Sequence, residues 1–292
     1  MTISEARKIC RDFYDLTNPT DDDEFLFTEA LAFLIDKTKN SDYMVELGGY
    51  YYGKRQFDLA LKYYERAAEY GNRYAVSDLG YIWYYGRTGE KNYEKAFYFF
   101  DKARRMGDMI AAYKVADMYK NGYYVEKDYD QYKSIIEELY PKVKNAHMLD
   151  EPLPEIFTRL AKIRSDEGNV DEALRLYDVA RGFLAQRIRV NPFFGNLNIM
   201  KWMIEDVYKL REFDPDLVEL YDLYYILNGP AKVRFSFENK EHEAESVKEE
   251  GGIVIRFDGT WFRDIDDFFK KAELDGELLT TRYEELYGFE VL

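Results

Sequence analysis

Small and aromatic side chains recur along the first half of the chain at a fixed spacing. The stretch "FDLALKYYERAAEYGN" (residues 57–72) is followed 36 residues later by "YEKAFYFFDKARRMGD" (93–108), with Ala, an aromatic residue, Ala and Gly at the same places. Ala60 and Ala67 are two helical turns apart and therefore lie on one stripe of a helix, where short side chains let a neighbouring helix approach closely. The pattern predicts a repeated unit of two antiparallel helices.

A second motif precedes each stretch and predicts the first helix of each pair. It has Leu or Val, then Gly or Ala, then an aromatic residue four positions after the Leu or Val. The three copies are Leu47, Gly48 and Tyr51; Leu79, Gly80 and Trp83; and Val115, Ala116 and Tyr119. The first unit is four residues shorter than the second, and we expect the difference to lie in its turn. Gly71 and Gly107 are expected to end the second helices. In the third unit Tyr132 and Leu139 replace the alanines, which predicts different packing there.

"LGYIWYYG" with "YEKAFYFFDKARRMGD" behind it resembles the Sel-1-like repeats, a branch of the tetratricopeptide superfamily. That family's pattern is LG, two residues, an aromatic, two residues and Gly, followed by KA, aromatics, Ala and Gly. Three units cover about residues 42 to 145. The resemblance implies a mainly α fold, a right-handed α–α superhelical solenoid in which each helix pair buries its apolar face against its neighbours.

Further helices are predicted on both sides of these units. "EARKICRDFYDL" and "EFLFTEALAFLIDKT" form an earlier pair, and the acids of "NPTDDDE" between them are expected to cap a helix. "LAKIRSDEGNVDEALRLYDVARGFL" has tetratricopeptide spacing and predicts a fourth repeat-like pair. Two amphipathic helices follow, at about 196–210 and 215–228. We therefore expect the helical repeat domain to span residues 1–229.

The periodicity changes after residue 229. Val233, Phe235 and Phe237 alternate with polar residues, a period of two that is typical of a strand with one buried face. "EHEAESVK" and "GGIVIRFDGTWF" predict further strands, "RDIDDFFKKAEL" and "TTRYEELYG" predict helices, and "FEVL" could complete the sheet. Residues 230–292 are thus expected to form a small α+β domain with an antiparallel sheet, which resembles no family that we recognise.

Charge and cysteine content narrow the classes of partner and compartment. The chain has 56 acidic and 41 basic residues and a net charge of −15, which repels both nucleic acid and anionic membranes. It has no run of 18 apolar residues. Its single cysteine, Cys10, cannot form an internal disulfide, and we expect it on the buried face of a first helix. The sequence therefore predicts a cytoplasmic protein that binds neither nucleic acid nor membrane.

Few residues have the arrangement of a catalytic centre. The two histidines have no second ligand at metal spacing, and no phosphate-binding loop or nucleophile elbow occurs. The acidic cluster of Asp264, Asp266 and Asp267 could hold a divalent cation, but acids where a helix begins are also stabilised by the helix dipole. The capping interpretation is favoured. We predict no catalytic residue, no metal site and no cofactor.

The resemblance also indicates a binding surface. In tetratricopeptide proteins the first helix of each pair lines the groove of the solenoid. Transferred to this sequence, the groove positions are Tyr52, Tyr74, Ser77, Tyr81, Tyr84, Tyr85, Tyr113, Asp117 and Lys120. Tyrosines offer a large contact area with a polar tip, although stacked neighbouring repeats can cover several of them. The resulting hypothesis is a non-enzymatic scaffold that binds a protein or peptide in a tyrosine-rich groove.

Two other functions are compatible with the sequence. The C-terminal α+β domain could be a small-ligand or metal-dependent enzymatic domain that uses the acidic cluster or Trp261. Alternatively, the acidic protein could neutralise a basic partner such as a toxin, which would make binding strongly dependent on salt.

Overall fold

A computed structural model describes residues 1–16, 18–145, 152–190, 194–211 and 220–292. The chain divides into two compact units, Met1–Ile135 and Ile136–Leu292. The predicted fold class is confirmed, because paired helices dominate and a small sheet region follows them.

The first unit consists of consecutively packed helices. They are α1 (Ile3–Tyr14), α2 (Asp21–Thr38), α3 (Ser41–Gly53), α4 (Phe57–Glu69), α5 (Arg73–Tyr85), α6 (Tyr93–Arg105), α7 (Met109–Asn121) and the start of α8 (Tyr129–Val143). Helices α1 and α2, α3 and α4, and α5 and α6 form hairpins, and each hairpin packs against the next. The first helices α5 and α7 of neighbouring repeats also touch. The earlier helix pair and the first two predicted repeat pairs are therefore present and stacked, and α7 packs against the last of them.

The two first repeats differ in their turns, as predicted. Three residues, 54–56, join α3 to α4, whereas seven residues, 86–92, join α5 to α6. Gly86 ends α5 in the left-handed region with φ of 63°, and a Cβ there would lie 2.7 Å from the backbone nitrogen of Lys91. The longer turn therefore folds tightly back onto the end of its own helix.

Glycines of the first helices lie directly beneath rings of the second helices. A Cβ added to Gly48 would be 2.7 Å from Cε1 of Tyr64, and one added to Gly80 would be 2.5 Å from Cδ1 of Phe100. Both rings are buried. Since ordinary carbon contacts are about 3.5–4.0 Å, only glycine lets the two helices of a pair come this close. In the third repeat, Tyr132 and Leu139 of α8 occupy the positions of the alanines, and both are buried.

Helix termini in the first unit are capped as their sequences require. Thr20 caps α2 and forms a capping box with Asp23, so the acids after it occupy the first turn and are not themselves the cap. Gly71 and Gly107 follow the second helices with φ of 76° and 90°, as expected for helix ends. Cys10 is buried on α1, which confirms that prediction.

The second unit combines helices with an antiparallel sheet. Its elements after α8 are α9 (Leu153–Asp166), α10 (Val170–Val190), α11 (Phe194–Leu210), α12 (Leu220–Leu227), β1 (Ala231–Phe237), β2 (Lys240–Glu249), β3 (Gly252–Phe257), β4 (Thr260–Phe262), α13 (Ile265–Lys271), β5 (Glu273–Leu274), β6 (Glu277–Leu278), α14 (Leu279–Arg282), a short 3-10 turn (Tyr283–Glu285) and β7 (Tyr287–Val291). The predicted fourth pair corresponds to α9 and α10, which pack together. Of the helix predicted at 215–228, residues 215–219 lie outside the described residues.

The five-stranded sheet has the order β4-β3-β2-β1-β7, with every neighbouring pair antiparallel. Val233, Phe235 and Phe237 of β1 are buried, as their alternation predicted, and β7 completes the sheet beside β1. Helix α12 contacts β1, and α14 contacts α10. The sheet thus belongs to the same compact unit as these helices, and the domain boundary at 229/230 stays a prediction.

None of the helices in the described part of the chain combines the length and apolar content needed to cross a membrane.

Candidate interaction surface

The nine predicted groove residues lie on the first helices α3, α5 and α7, and we call the surface that they define the first-helix face. Tyr74 and Tyr85 are the most exposed, at 54% and 40%. Ser77 and Tyr113 are buried, at 5% and 7%, and leave a partner little surface to touch. The remaining five, Tyr52, Tyr81, Tyr84, Asp117 and Lys120, are half-buried.

Three tyrosines of α5 form the centre of this face. Tyr81 stacks on Tyr85 with ring centroids 6.0 Å apart and planes 12° apart, and Tyr84 meets Tyr85 edge-on at 5.0 Å. Phe100 of α6 supports Tyr81 from below, with an edge contact at 5.3 Å. Because each ring is held by another, the cluster is already ordered before any partner arrives.

The aromatic cluster extends beyond the positions that the sequence predicted. Tyr84 also contacts Tyr93 of α6 at 5.5 Å and Tyr123 after α7 at 6.1 Å. Tyr93 and Tyr123 stack almost parallel at 4.6 Å. Neither residue belongs to a first helix, so the family register did not identify them. The structure shows that one aromatic network joins two successive repeats.

Arg87 is a functional candidate that the sequence analysis missed. Its Nε donates a 2.8 Å hydrogen bond to the hydroxyl oxygen of Tyr52. Its guanidinium carbon lies 5.0 Å from the ring centre of Tyr85 and 5.6 Å from those of Tyr52 and Phe57. Arg87 thereby connects the ends of α3 and α5. Arg87 directly follows the glycine that ends α5, where the helix dipole favours cations. That position is the sequence signal that could have identified it.

Lys114 supplies a second cation on the first-helix face. Its Nζ lies 5.2 Å from the ring centre of Tyr81, 5.7 Å from that of Tyr84 and 5.5 Å from that of Tyr113. It precedes the Val-Ala pair of α7, at the place that Glu46 and Asp78 occupy in the first two repeats. The change from acid to base at that position was the available sequence signal.

The structure brings some predicted residues together and separates others. Arg87 and Lys114 link Tyr52 and Tyr113 to the α5 tyrosines. Tyr74 lies at the other end of α5, where its ring contacts Arg73 and its hydroxyl oxygen accepts a 2.9 Å hydrogen bond from it. Lys120 lies over the ring of Tyr132 at 5.1 Å.

Two residues of α5 have strongly shifted pKa values. Burial, and then the negative charge of Asp117, raise the pKa of Tyr84 far above its usual range, so the hydroxyl stays protonated at physiological pH. Burial raises the pKa of Asp78 on α5 to about 7, with a further contribution from the charge of Asp108. The carboxyl group of Asp78 therefore titrates near neutral pH.

The acidic cluster of the second unit does not converge on one point. Asp264 caps α13 by accepting a 2.7 Å hydrogen bond from the backbone N–H of Asp267, as the favoured interpretation predicted. Asp267 pairs with Lys271 at 2.7 Å, whereas Asp266 accepts a 2.8 Å hydrogen bond from Tyr224. Among the described residues no group of three potential ligands is placed to hold a metal ion.

His242 is the other residue of the second unit with potential chemistry. Its Nδ1 lies 2.6 Å from a carboxylate oxygen of Asp258, and its ring packs against those of Phe235 and Phe257. Its Nε2 is buried without a hydrogen-bond partner. The ring therefore belongs to the core of the sheet.

Comparison with known proteins identifies the repeats. The Sel1 repeat family matches residues 41–72, 73–108 and 110–131. The fold is similar to that of a Sel1 repeat protein from Oxalobacter formigenes, at 21% identity and a TM-score of 0.52 over 74% of this chain and 83% of that one. It is also similar to c5321 of uropathogenic Escherichia coli, described as a protective antigen displaying an SLR fold, at 17% identity and a TM-score of 0.50. That match covers 71% of this chain but only 46% of c5321, so this chain spans under half of its length. No curated protein matches the sequence.

Proposed function

We propose that this chain, a Sel1-repeat protein, is a non-enzymatic interaction scaffold that binds a protein or peptide on its first-helix face. The observation that carries the proposal is the ordered cluster of Tyr81, Tyr84 and Tyr85, which extends across two repeats. Tyrosine and arginine are enriched at the centres of protein interfaces, where they bury much area at low entropic cost.

The arrangement of these rings favours recognition over a purely structural role. Tyr85 is 40% exposed although it takes part in the cluster. Rings fixed by their neighbours lose little rotamer freedom when a partner binds, so more of the contact energy appears as affinity. A role in packing alone would not require Tyr85 to remain accessible.

Affinity purification from the native cell, followed by mass spectrometry, tests the proposal. We expect specific partners to be lost from the Tyr81→Ala/Tyr84→Ala variant and from Tyr85→Ala. The matched control is Tyr98→Ala, which removes a 59% exposed tyrosine from the second helix α6 and should retain them. Retention of every specific partner by the first two variants would contradict the proposal.

The proposal extends to the second unit and to the cellular setting. The sheet offers a second contact surface, where Trp261 is 56% exposed and Arg256 lies 5.8 Å from its ring centre. The net charge of −15 supports partners other than nucleic acid or membranes, and the setting that we propose is cytoplasmic. An enzymatic second unit has less support, because the carboxylates of the Asp264 cluster are engaged with different neighbours.

A further inference from the structure

Arg87 is a half-buried basic residue that aromatic rings hold in place. The sequence contains 56 carboxylate side chains, yet Arg87 forms no ion pair with any carboxylate among the described residues. Its Nε is satisfied by Tyr52, and three rings surround its guanidinium group. The two terminal nitrogens of such a group retain the geometry for a bidentate contact with a carboxylate.

The main chain around Arg87 is held as firmly as its side chain. Its backbone N–H donates a 3.0 Å hydrogen bond to the carbonyl of Ile82, one turn back in α5. At the other end of the same turn, Asn92 N–H bonds the carbonyl of Trp83 at 2.9 Å. Arg87 is therefore a positioned cation at the end of the tyrosine cluster, with its Cα and its Nε both fixed.

We propose that Arg87 binds a carboxylate of the partner, so that the first-helix face selects an acidic peptide segment with an Asp or Glu side chain flanked by residues that pack on Tyr85. This inference rests on the proposed function and specifies the partner's chemistry. The cation is locally complementary to such a segment, although the whole chain is negative. A basic segment would place its charge against that of Arg87, beside Tyr85.

Charge-assisted bidentate pairs of this kind have a clear specificity signature. Replacing Glu by Gln in the partner keeps the shape but removes the ionic acceptor, and should weaken binding about tenfold or more if Arg87 makes the contact. Replacing Arg87 by Lys keeps the charge but loses the planar fork, so it should recover only part of the binding.

The test measures binding of labelled short peptide pools to the full chain by fluorescence polarisation. Three pools have blocked ends and random uncharged residues around a central Glu, Gln or Lys. A fourth pool has a central Gln and a free C-terminal carboxylate. We expect the Glu pool to bind about tenfold more tightly than the blocked Gln pool, and this preference to disappear in Arg87→Gln. A gain of the fourth pool over the blocked Gln pool would show that a terminal carboxylate also serves as the ligand.

Two controls separate charge from folding. Arg55→Gln removes an exposed arginine from the corresponding turn of the first repeat and should keep the preference for Glu. Arg87→Lys should keep part of it, and circular dichroism should show all variants folded.

The outcomes also separate this inference from the proposed function. Equal binding of the Glu and blocked Gln pools, tighter binding of the Lys pool, or an unchanged preference in Arg87→Gln would overturn the inference. If the peptide pools nevertheless bound less tightly to Tyr85→Ala than to the wild type, the scaffold function would stand without the carboxylate contact. Peptide binding that was unchanged in Tyr85→Ala, or no binding by any pool, would count against both.

Discussion

Two adjacent glycines of α3 should respond in opposite directions to the same substitution. A Cβ at Gly48 would lie 2.7 Å and 2.8 Å from two ring carbons of Tyr64, whereas the nearest atom to a Cβ at Gly49 is the Tyr64 hydroxyl oxygen at 3.8 Å. Tyr64 is only 4% exposed and has little room to move. We therefore predict that Gly48→Ala destabilises the protein and that Gly49→Ala does not.

The magnitudes follow from two opposing terms. Ala is favoured over Gly inside a helix by about 1 kcal/mol, and both variants gain this term. Only Gly48→Ala incurs the cost of overpacking, which is about 1–3 kcal/mol in a well-packed core. We expect Gly49→Ala to be more stable than the wild type by up to about 1 kcal/mol, and Gly48→Ala to lie about 1–3 kcal/mol below Gly49→Ala.

Urea unfolding followed by circular dichroism measures both free energies of unfolding. Replacing the ring by a smaller side chain in the Gly48→Ala/Tyr64→Leu double variant should remove the clash. The two substitutions should therefore destabilise the protein less together than the sum of their separate effects. Equal stability of Gly48→Ala and Gly49→Ala, or additive effects in the double variant, would refute the packing argument.

Two further predictions concern titration. The pKa of Asp78 is raised from 3.8 to about 7 by burial and then by Asp108, so the native state binds more protons than the unfolded state between these values and stability falls as pH rises through that window. The loss of stability is at most about 4 kcal/mol above pH 7, and Asp78→Asn should abolish it. Urea unfolding should therefore show the variant and the wild type equally stable near pH 4, and the variant more stable at pH 8. Parallel pH profiles of the two proteins would contradict this. Burial, and then the charge of Glu46, raise the pKa of Cys10 from 9.0 to about 11, so iodoacetamide at pH 8 should modify the native thiol about a hundredfold more slowly than the urea-unfolded one. Comparable rates would refute it.

The helix pairs could be predicted because their signals are local. The spacing between Ala60 and Ala67 depends only on the helical period, and the shorter first turn depends only on the number of residues between the two motifs. The alternation of Val233, Phe235 and Phe237 likewise follows from the pleat of a strand. Such elements can be predicted without knowing how the repeats pack against one another.

The interaction surface could be predicted only in part. The register placed the tyrosines on the first helices, but burial of Ser77 and Tyr113 depends on how neighbouring repeats pack around them. The enclosure of Arg87 by Tyr52, Phe57 and Tyr85 combines residues from two repeats and a turn. Side-chain contacts between repeats depend on the angle between them, which one-dimensional spacing does not contain.

Site-specific photo-cross-linking in the native cell tests the central claim most directly. We would place p-benzoylphenylalanine at Tyr85 of the first-helix face or, as a control, at Tyr98 of α6, two exposed tyrosines on different helices. We predict a discrete covalent adduct with a partner protein from position 85 and none from position 98. Adducts from position 98 alone, or from neither position, would contradict the claim that the first-helix face binds a protein or peptide.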